Sequence, residues 1–244
     1  MQVLAFDTST PDIQLALMKD GQIVREMKHV PQDSNRQEAA SKLIVCIDQI
    51  VKDAAWKKGE IDLIVVGIGP GSFTGVRVSV ITARSLGQAL KIGVFPVSVL
   101  EIVANASQRR PVSVIAPAGA GQYFGAAFAE NMHAEQLVES FCAAAGEVKS
   151  RLAAVPNLIL SAQVDSALFL ANGNTLLPYP EIPNLATSSA LLAWERMQVK
   201  SQKMEREALS KAYPWDNVLP LYLRSPSITL KAGHGSSSQA PGRC

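Results

Sequence analysis

Histidine and cysteine are scarce, three of each in 244 residues, and their spread limits what they can do. His29, His133 and His234 lie far apart, and none has a second histidine, a cysteine or a carboxylate at ligand spacing that would make a metal site. Cys46, Cys142 and Cys244 are equally scattered; they outline no disulfide framework, and a reducing cytoplasm is the expected setting. An excess of one charge is lacking too. Lys and Arg number 23 against 21 Asp and Glu, a formal net charge of +2, which excludes a strongly basic nucleic-acid binder and leaves any nucleic acid to be held mainly by something else. The pairs Lys57-Lys58 and Arg109-Arg110 and the series Lys200, Lys203, Arg206 are read as solvated helix faces. Trp56, Trp194 and Trp215 are not interleaved with the basic residues as a base-stacking platform requires; they are expected in the core or at its rim. No apolar run reaches membrane-spanning length, and Met1 leads straight into an apolar run that Asp7 interrupts, without the pattern of a secretion signal.

What is present is apolar content, 48% of the chain, enough for one large core or two modest ones. Residues 3–6 form a short apolar strand and 13–17 alternate like another, leaving Asp7-Thr8-Ser9-Thr10-Pro11-Asp12 as the loop between them. Asp20-Gly21 makes a hairpin turn into 22–29. Ser34-Asn35-Arg36-Gln37 has capping-box spacing, and Ala40, Leu43, Ile44, Ile47, Ile50, Val51 and Ala54 follow at helical intervals. A strand over 61–66, a helix over 76–90, a strand over 93–97 and further helix over 98–106 complete a βββαβαβ unit. From 113 the pattern restarts: a strand over 113–116, the loop Pro117-Ala118-Gly119-Ala120-Gly121, and a strand over 122–129 read as an internal duplication. Residues 130–183 read as a mixed α/β layer, helices are predicted over 188–202 and 204–212, and the Gly/Ser/Pro-rich stretch 233–244 is read as disordered.

The most informative stretch is Gly67-Ile68-Gly69-Pro70-Gly71-Ser72-Phe73-Thr74-Gly75-Val76-Arg77, a strand-to-helix loop. Its glycines and proline call for unusual backbone or a close approach, and N–H groups at a helix start can hold an anion; a tight structural turn explains the same composition. A Walker-type phosphate loop would end in Gly-Lys-Ser/Thr, where this chain has Thr74-Gly75-Val76. A dinucleotide fingerprint needs a third glycine where Thr74 stands, and a hydrolase elbow Gly-x-Ser-x-Gly fails at the same position.

The nine residues from Gly69 to Arg77 resemble the Gly-Pro-Gly-Ser-Phe-Thr-Gly-Val/Thr-Arg signature of the TsaB (YeaZ) family, a subunit of the bacterial machinery that makes threonylcarbamoyladenosine in tRNA. Leu4-Ala5-Phe6-Asp7-Thr8-Ser9-Thr10, Thr82-Ala83-Arg84-Ser85-Leu86, Phe95-Pro96-Val97-Ser98-Val99-Leu100, Gly121-Gln122-Tyr123-Phe124-Gly125-Ala126 and the ending Pro220-Leu221-Tyr222-Leu223-Arg224 share the resemblance. Two places depart from it. Pro117, Ala118, Gly119 and Ala120 stand where relatives carry Asp-Ala-Arg or Ala-Arg-Arg, and Gln37-Glu38-Ala39-Ala40-Ser41 stands where many have His-Ser/Thr.

The resemblance implies an α/β protein with two lobes of actin/Hsp70/sugar-kinase (ribonuclease H-like) type, mixed sheets flanked by helices. The expected division is an N-terminal lobe of 1–106, a C-terminal lobe of 107–230 in which 184–212 is mainly helical, and a tail of 231–244. It implies a non-catalytic cytoplasmic subunit that binds and stabilises a TsaD-type catalytic subunit, works with a TsaE-type ATPase, meets tRNA only through the complex, pairs with itself when alone and does not bind a membrane. In that superfamily two strand-connecting loops grip nucleotide phosphates. Asp7, Thr8 and Ser9 are the candidate for one of them, with an Asx turn as the other reading of Asp7; Pro117 to Gly121 offers no acid, base or hydroxyl for the second. No cofactor is required, and ATP or ADP with Mg²⁺ at a subunit junction is left open. An ATP-dependent phosphotransferase or ATPase of the same fold is the alternative, and a homodimeric regulator without a tRNA role is another. Gly69, Pro70, Gly71, Ser72, Phe73, Thr74 and Gly75 are taken as a structural loop that places the second helix. On that helix the small row Ser79, Ala83, Gly87, with Val76 and Val80 and with Leu43 and Ile47 of the first helix, is the expected partner interface, Val78, Ile81 and Leu86 facing the sheet. Burial of that row between sheet and first helix is the competing reading.

Overall fold

The computed structural model describes residues 1–31, 38–107, 109–129, 136–170, 174–199 and 205–223. The capping box at 34–37, His133, His234, Cys244, Lys200, Lys203, Arg224 and the tail at 231–244 lie outside the described residues.

Three antiparallel strands open the chain: β1 (Gln2–Asp7), β2 (Ile13–Lys19) and β3 (Gln22–His29). The β2–β3 turn is Asp20-Gly21, with φ of 51° and 83°, the paired left-handed conformation that a two-residue hairpin needs. β4 (Leu63–Gly67) pairs parallel with β1, and β5 (Gly93–Val97) parallel with β4, giving the order β3-β2-β1-β4-β5. The inner strands carry apolar side chains on both faces, as a sheet covered on both sides requires. Leu4, Phe6, Leu15, Leu17, Ile64 and Val66 pack towards α1 (Glu38–Asp53) and α2 (Phe73–Leu90), while Val3, Ala5, Ala16, Leu63 and Val65 point the other way.

The second sheet repeats the first, strand for strand. β6 (Val112–Gly119), β7 (Gln122–Phe128) and β8 (Gln136–Ala144) form an antiparallel meander; β9 (Asn157–Leu160) runs parallel beside β6 and β10 (Thr175–Leu177) parallel beside β9. The order β8-β7-β6-β9-β10 matches the first sheet position by position. α4 (Ala145–Leu152) follows the meander as α1 does. β6 runs on to Gly119, past the expected end at Ala116, and the β6–β7 connection is a two-residue turn, Ala120-Gly121.

The two lobes exchange helices. α3 (Val99–Asn105) leaves the first sheet and buries Leu100, Val103 and Ala104 against the second, a spacing of three and four that makes one helix face. α5 (Leu185–Val199) leaves the second sheet and buries Leu185, Ala186, Ala190, Ala193 and Met197 on the first. The expected division, with 184–212 in the C-terminal lobe, therefore differs from the packing: α5 covers the open face of β1, β2 and β4, and α6 (Arg206–Ala212) lies against β5, where Val94 N–H donates to Tyr213 O at 2.9 Å. The exchanged helices touch each other through the Glu101–Arg196 ion pair, 3.2 Å. α5 starts at Leu185 and not at 188 because Asn184 caps it, its Oδ1 accepting from Ala186 N at 2.9 Å and Thr187 N at 3.2 Å.

Candidate functional site

The polar loop after β1 is built into the glycine stretch. Asp7 Oδ1 accepts from Ser9 N at 2.7 Å and from Ser9 Oγ at 2.6 Å, the Asx turn expected of an aspartate ending a strand. Thr8 Oγ1 donates to Gly75 O at 2.6 Å, and Ser9 O accepts from Ser72 N at 2.7 Å. Each residue of the loop meets one glycine: a Cβ on Gly67 would overlap the Asp7 carboxylate, one on Gly75 would overlap Thr8 O, and one on Gly71 would overlap Ser9 O. The glycines at 67, 71 and 75 are thus required by close approach to the chain's own backbone and carboxylate. The N-terminus of α2 is capped within the same unit, Ser72 Oγ accepting from Gly75 N at 3.2 Å.

This packing corrects the expectation that Asp7, Thr8 and Ser9 face a phosphate. Asp7 and Thr8 are fully buried and Ser9 nearly so, because the glycine stretch folds onto them. Burial pushes the Asp7 carboxyl above its ordinary value, against the lowering effect of the Ser9 hydrogen bonds, and Oδ2 is buried without a hydrogen-bond partner. The corresponding connection of the second lobe, Ala120-Gly121, is a tight hairpin turn. Among the described residues no three His, Cys, Asp or Glu side chains are grouped as metal ligands would be, and no described helix is long and apolar enough to cross a membrane.

The expected partner interface needs a second correction. Val76, Ser79, Val80, Ala83 and Gly87 are buried within the chain, as are Leu43 and Ile47 of α1. The small row lets α2 lie close on its own sheet: Ser79 Oγ donates to the carbonyl of Gly67, the last residue of β4, at 3.1 Å, and a Cβ on Gly87 would reach 2.7 Å from Val94 Cγ2 and 2.9 Å from Trp215 Cβ. Ile81, expected to face the sheet, is 61% exposed, and Ile44 and Val45 of α1 are 52% and 61% exposed. Three β-branched apolar side chains on two packed helices thus face solvent.

A strap formed by residues 215–222 runs lengthwise along α2, from Trp215 beside Gly87, past Val218 at Arg84, to Tyr222 at Phe73. Leu221 N–H donates to Ile68 O at 3.0 Å, Tyr222 stacks on Phe73 with ring centroids 4.9 Å apart, and the Arg77 guanidinium lies 5.1 Å from the Phe73 ring centre. Two stretches that carry the family resemblance, the glycine signature and the Pro-Leu-Tyr ending, are therefore in contact. Sequence reasoning missed that Arg77 and Arg84 share this edge of the helix; their spacing of seven was the available signal.

With this geometry established, comparison with known proteins identifies the family. A family model described as TsaD, tRNA N6-adenosine threonylcarbamoyltransferase, matches residues 28–212. The chain belongs to this family. It is 33% identical over 107 residues to the tRNA threonylcarbamoyladenosine biosynthesis protein TsaB of Haemophilus influenzae, covering 44% of this chain and 43% of that protein. It is 34% identical over 103 residues to an uncharacterized protein of Mycobacterium tuberculosis, covering 42% and 48%. The match spans less than half the length of these curated relatives. A crystal structure from Pseudomonas aeruginosa, of an uncharacterized protein with similarity to peptidase YeaZ, superposes with a TM-score of 0.65 at 21% identity, over 91% of this chain and 99% of that one. The resemblance to the TsaB (YeaZ) family drawn from the glycine signature holds, as do the two mixed sheets flanked by helices.

Proposed function

We propose that the chain is a non-catalytic subunit in the formation of threonylcarbamoyladenosine in tRNA, and that it binds a TsaD-type catalytic subunit through the outer face of α1 and α2. The observation that carries this reading is the closed polar loop. Asp7, Thr8 and Ser9 hold the glycine stretch through the contacts at Gly67, Gly75 and Gly71, so the residues best suited to phosphate or Mg²⁺ serve the fold. Exposed Ile44, Val45 and Ile81 supply what the buried small row cannot, an apolar surface open to a partner. The same face serves a second copy of the chain when the catalytic subunit is absent, and a TsaE-type ATPase and tRNA join through the complex. The names of the TsaB relatives support the pathway. Reconstitution tests the reading: tRNA modification by the TsaD-type subunit and TsaE-type ATPase of the same organism should require this chain and should survive Asp7→Asn. Modification that proceeds equally well without the chain, or ATP turnover by the chain alone that Asp7→Asn abolishes, would contradict it.

A further inference from the structure

The groove between α2 and the strap has a chemistry of its own. Its volume is about 350 Å³, and its walls include Arg77, Ile81, Arg84 and Gln88 of the helix and Trp215 and Tyr222 of the strap. Arg77 and Arg84 are seven residues apart, two turns along one helix edge or roughly 10 Å, with Ile81 between them. Neutral groups hold both guanidiniums in place: Arg77 lies over the Phe73 ring, and Arg84 Nη1 donates to Val218 O at 3.4 Å. Most of their N–H donors are left for another acceptor. Among the described residues neither arginine has a carboxylate within ion-pair distance, and Asp216 on the strap pairs with neither.

Two held guanidiniums without a counter-ion call for an anion, and the surroundings select its kind. Ile81 in the middle is 61% exposed, and Leu219 and Tyr222 on the strap are 63% and 48% exposed. A sugar-phosphate chain would satisfy the charges and leave these apolar surfaces against polar groups. A peptide segment with two acidic side chains and an apolar one between them satisfies both, and Arg, Tyr and Trp are the residue types that concentrate energy in protein contacts. We propose that this groove takes an acidic segment of a partner protein, its carboxylates on Arg77 and Arg84 and an apolar side chain over Ile81. The inference rests on the proposed partner-binding role and adds to it the chemistry of the bound segment.

The test titrates the full chain with the TsaD-type subunit of the same organism at low and high salt. Arg77→Gln with Arg84→Gln should keep the melting temperature, weaken binding by about tenfold or more and remove most of the salt dependence, whereas Arg77→Lys with Arg84→Lys should retain that dependence. Ile81→Glu and Ile81→Lys leave both guanidiniums in place, so they give the charge readout even if the glutamine pair disturbs the strap. Glu should weaken binding about tenfold more than Lys. Equal effects of Glu and Lys, or unchanged binding by a folded glutamine pair, would overturn the inference and leave the partner-binding role standing. Should the wild-type chain not bind the TsaD-type subunit at all, the role itself falls, and two probes decide the inference: a helical peptide with two glutamates seven positions apart around leucines, and an oligouridylate. Binding of the peptide that the glutamine pair abolishes supports the inference. Binding of the oligouridylate in its place, or of neither probe, overturns it.

Discussion

Gly67 lies so close to Asp7 that a single methyl group on it would overlap the carboxylate. This contact joins the ends of the neighbouring parallel strands β1 and β4 and fixes where the glycine stretch begins. Gly67→Ala should destabilise the chain by about 1–3 kcal/mol, the usual cost of overpacking a filled interior. In an Asp7→Ala background the carboxylate is gone and only the Cβ of residue 7, 3.1 Å away, remains, so the same change should cost much less. A double-mutant cycle by urea denaturation reads the coupling, and strict additivity would show that the two residues do not constrain each other.

The buried carboxyl also makes a pH prediction whose sign is fixed. Its folded pKa is raised above the ordinary 3.8, so the native state binds more protons than the unfolded state between the two values. The contribution to stability is present in full below 3.8 and is lost as pH rises through the folded pKa. Asp7→Asn cannot ionise, so its stability should gain on wild type as pH rises across that window. Denaturation profiles of the two proteins from pH 4 to 9 that run parallel would contradict this.

Turn chemistry gives a third expectation. Ala120 has φ of 50° and precedes Gly121 at 71°, left-handed backbone that costs alanine roughly 1–2 kcal/mol. Ala120→Asn supplies the Asn-Gly pair that such hairpins favour and should raise stability by about 0.5–1 kcal/mol in thermal or urea melts. No gain would mean that the turn relaxes at little cost.

The two faces of α2 should respond oppositely to charge. Ala83 is fully buried and Ile81 is not. Ala83→Arg should abolish or severely impair folding, since an unpaired buried charge costs several kcal/mol, whereas Ile81→Asp should stay within about 0.5 kcal/mol of wild type. Circular dichroism melts of both variants distinguish the buried face from the exposed one.

Much of the first lobe was legible because its signals are local. Asp20-Gly21 announces the β2–β3 hairpin, the apolar runs give strands buried on both faces, and the strand-loop-strand restart near 113 reveals the duplication. The orientation of α2 was not legible. That helix is apolar over more than one face, and Ser79 and Gly87 of its small row turn inward onto Gly67, Val94 and Trp215, residues outside the helix, Trp215 coming from the far end of the chain. The return of α5 to the first sheet is likewise non-local: Gln14 Oε1 accepts from Leu185 N at 2.6 Å and Asn184 Nδ2 donates to Leu15 O at 3.3 Å, pairings that no periodicity within 184–212 encodes. The polar loop looked like a phosphate site because Asp-Thr-Ser suits an anion and a metal; that three glycines close over it follows only from the fold.

The measurement that tests the central claim most directly is capture of the TsaD-type subunit by the chain carrying Ile44→Asp and Ile81→Asp, read by calorimetry beside tRNA modification in the reconstituted system. Both residues are more than half exposed, so the variant should fold as wild type does. It should lose binding and modification together, by about tenfold or more. A folded variant that captures the subunit with unchanged affinity would show that the outer face of α1 and α2 is not where the partner docks.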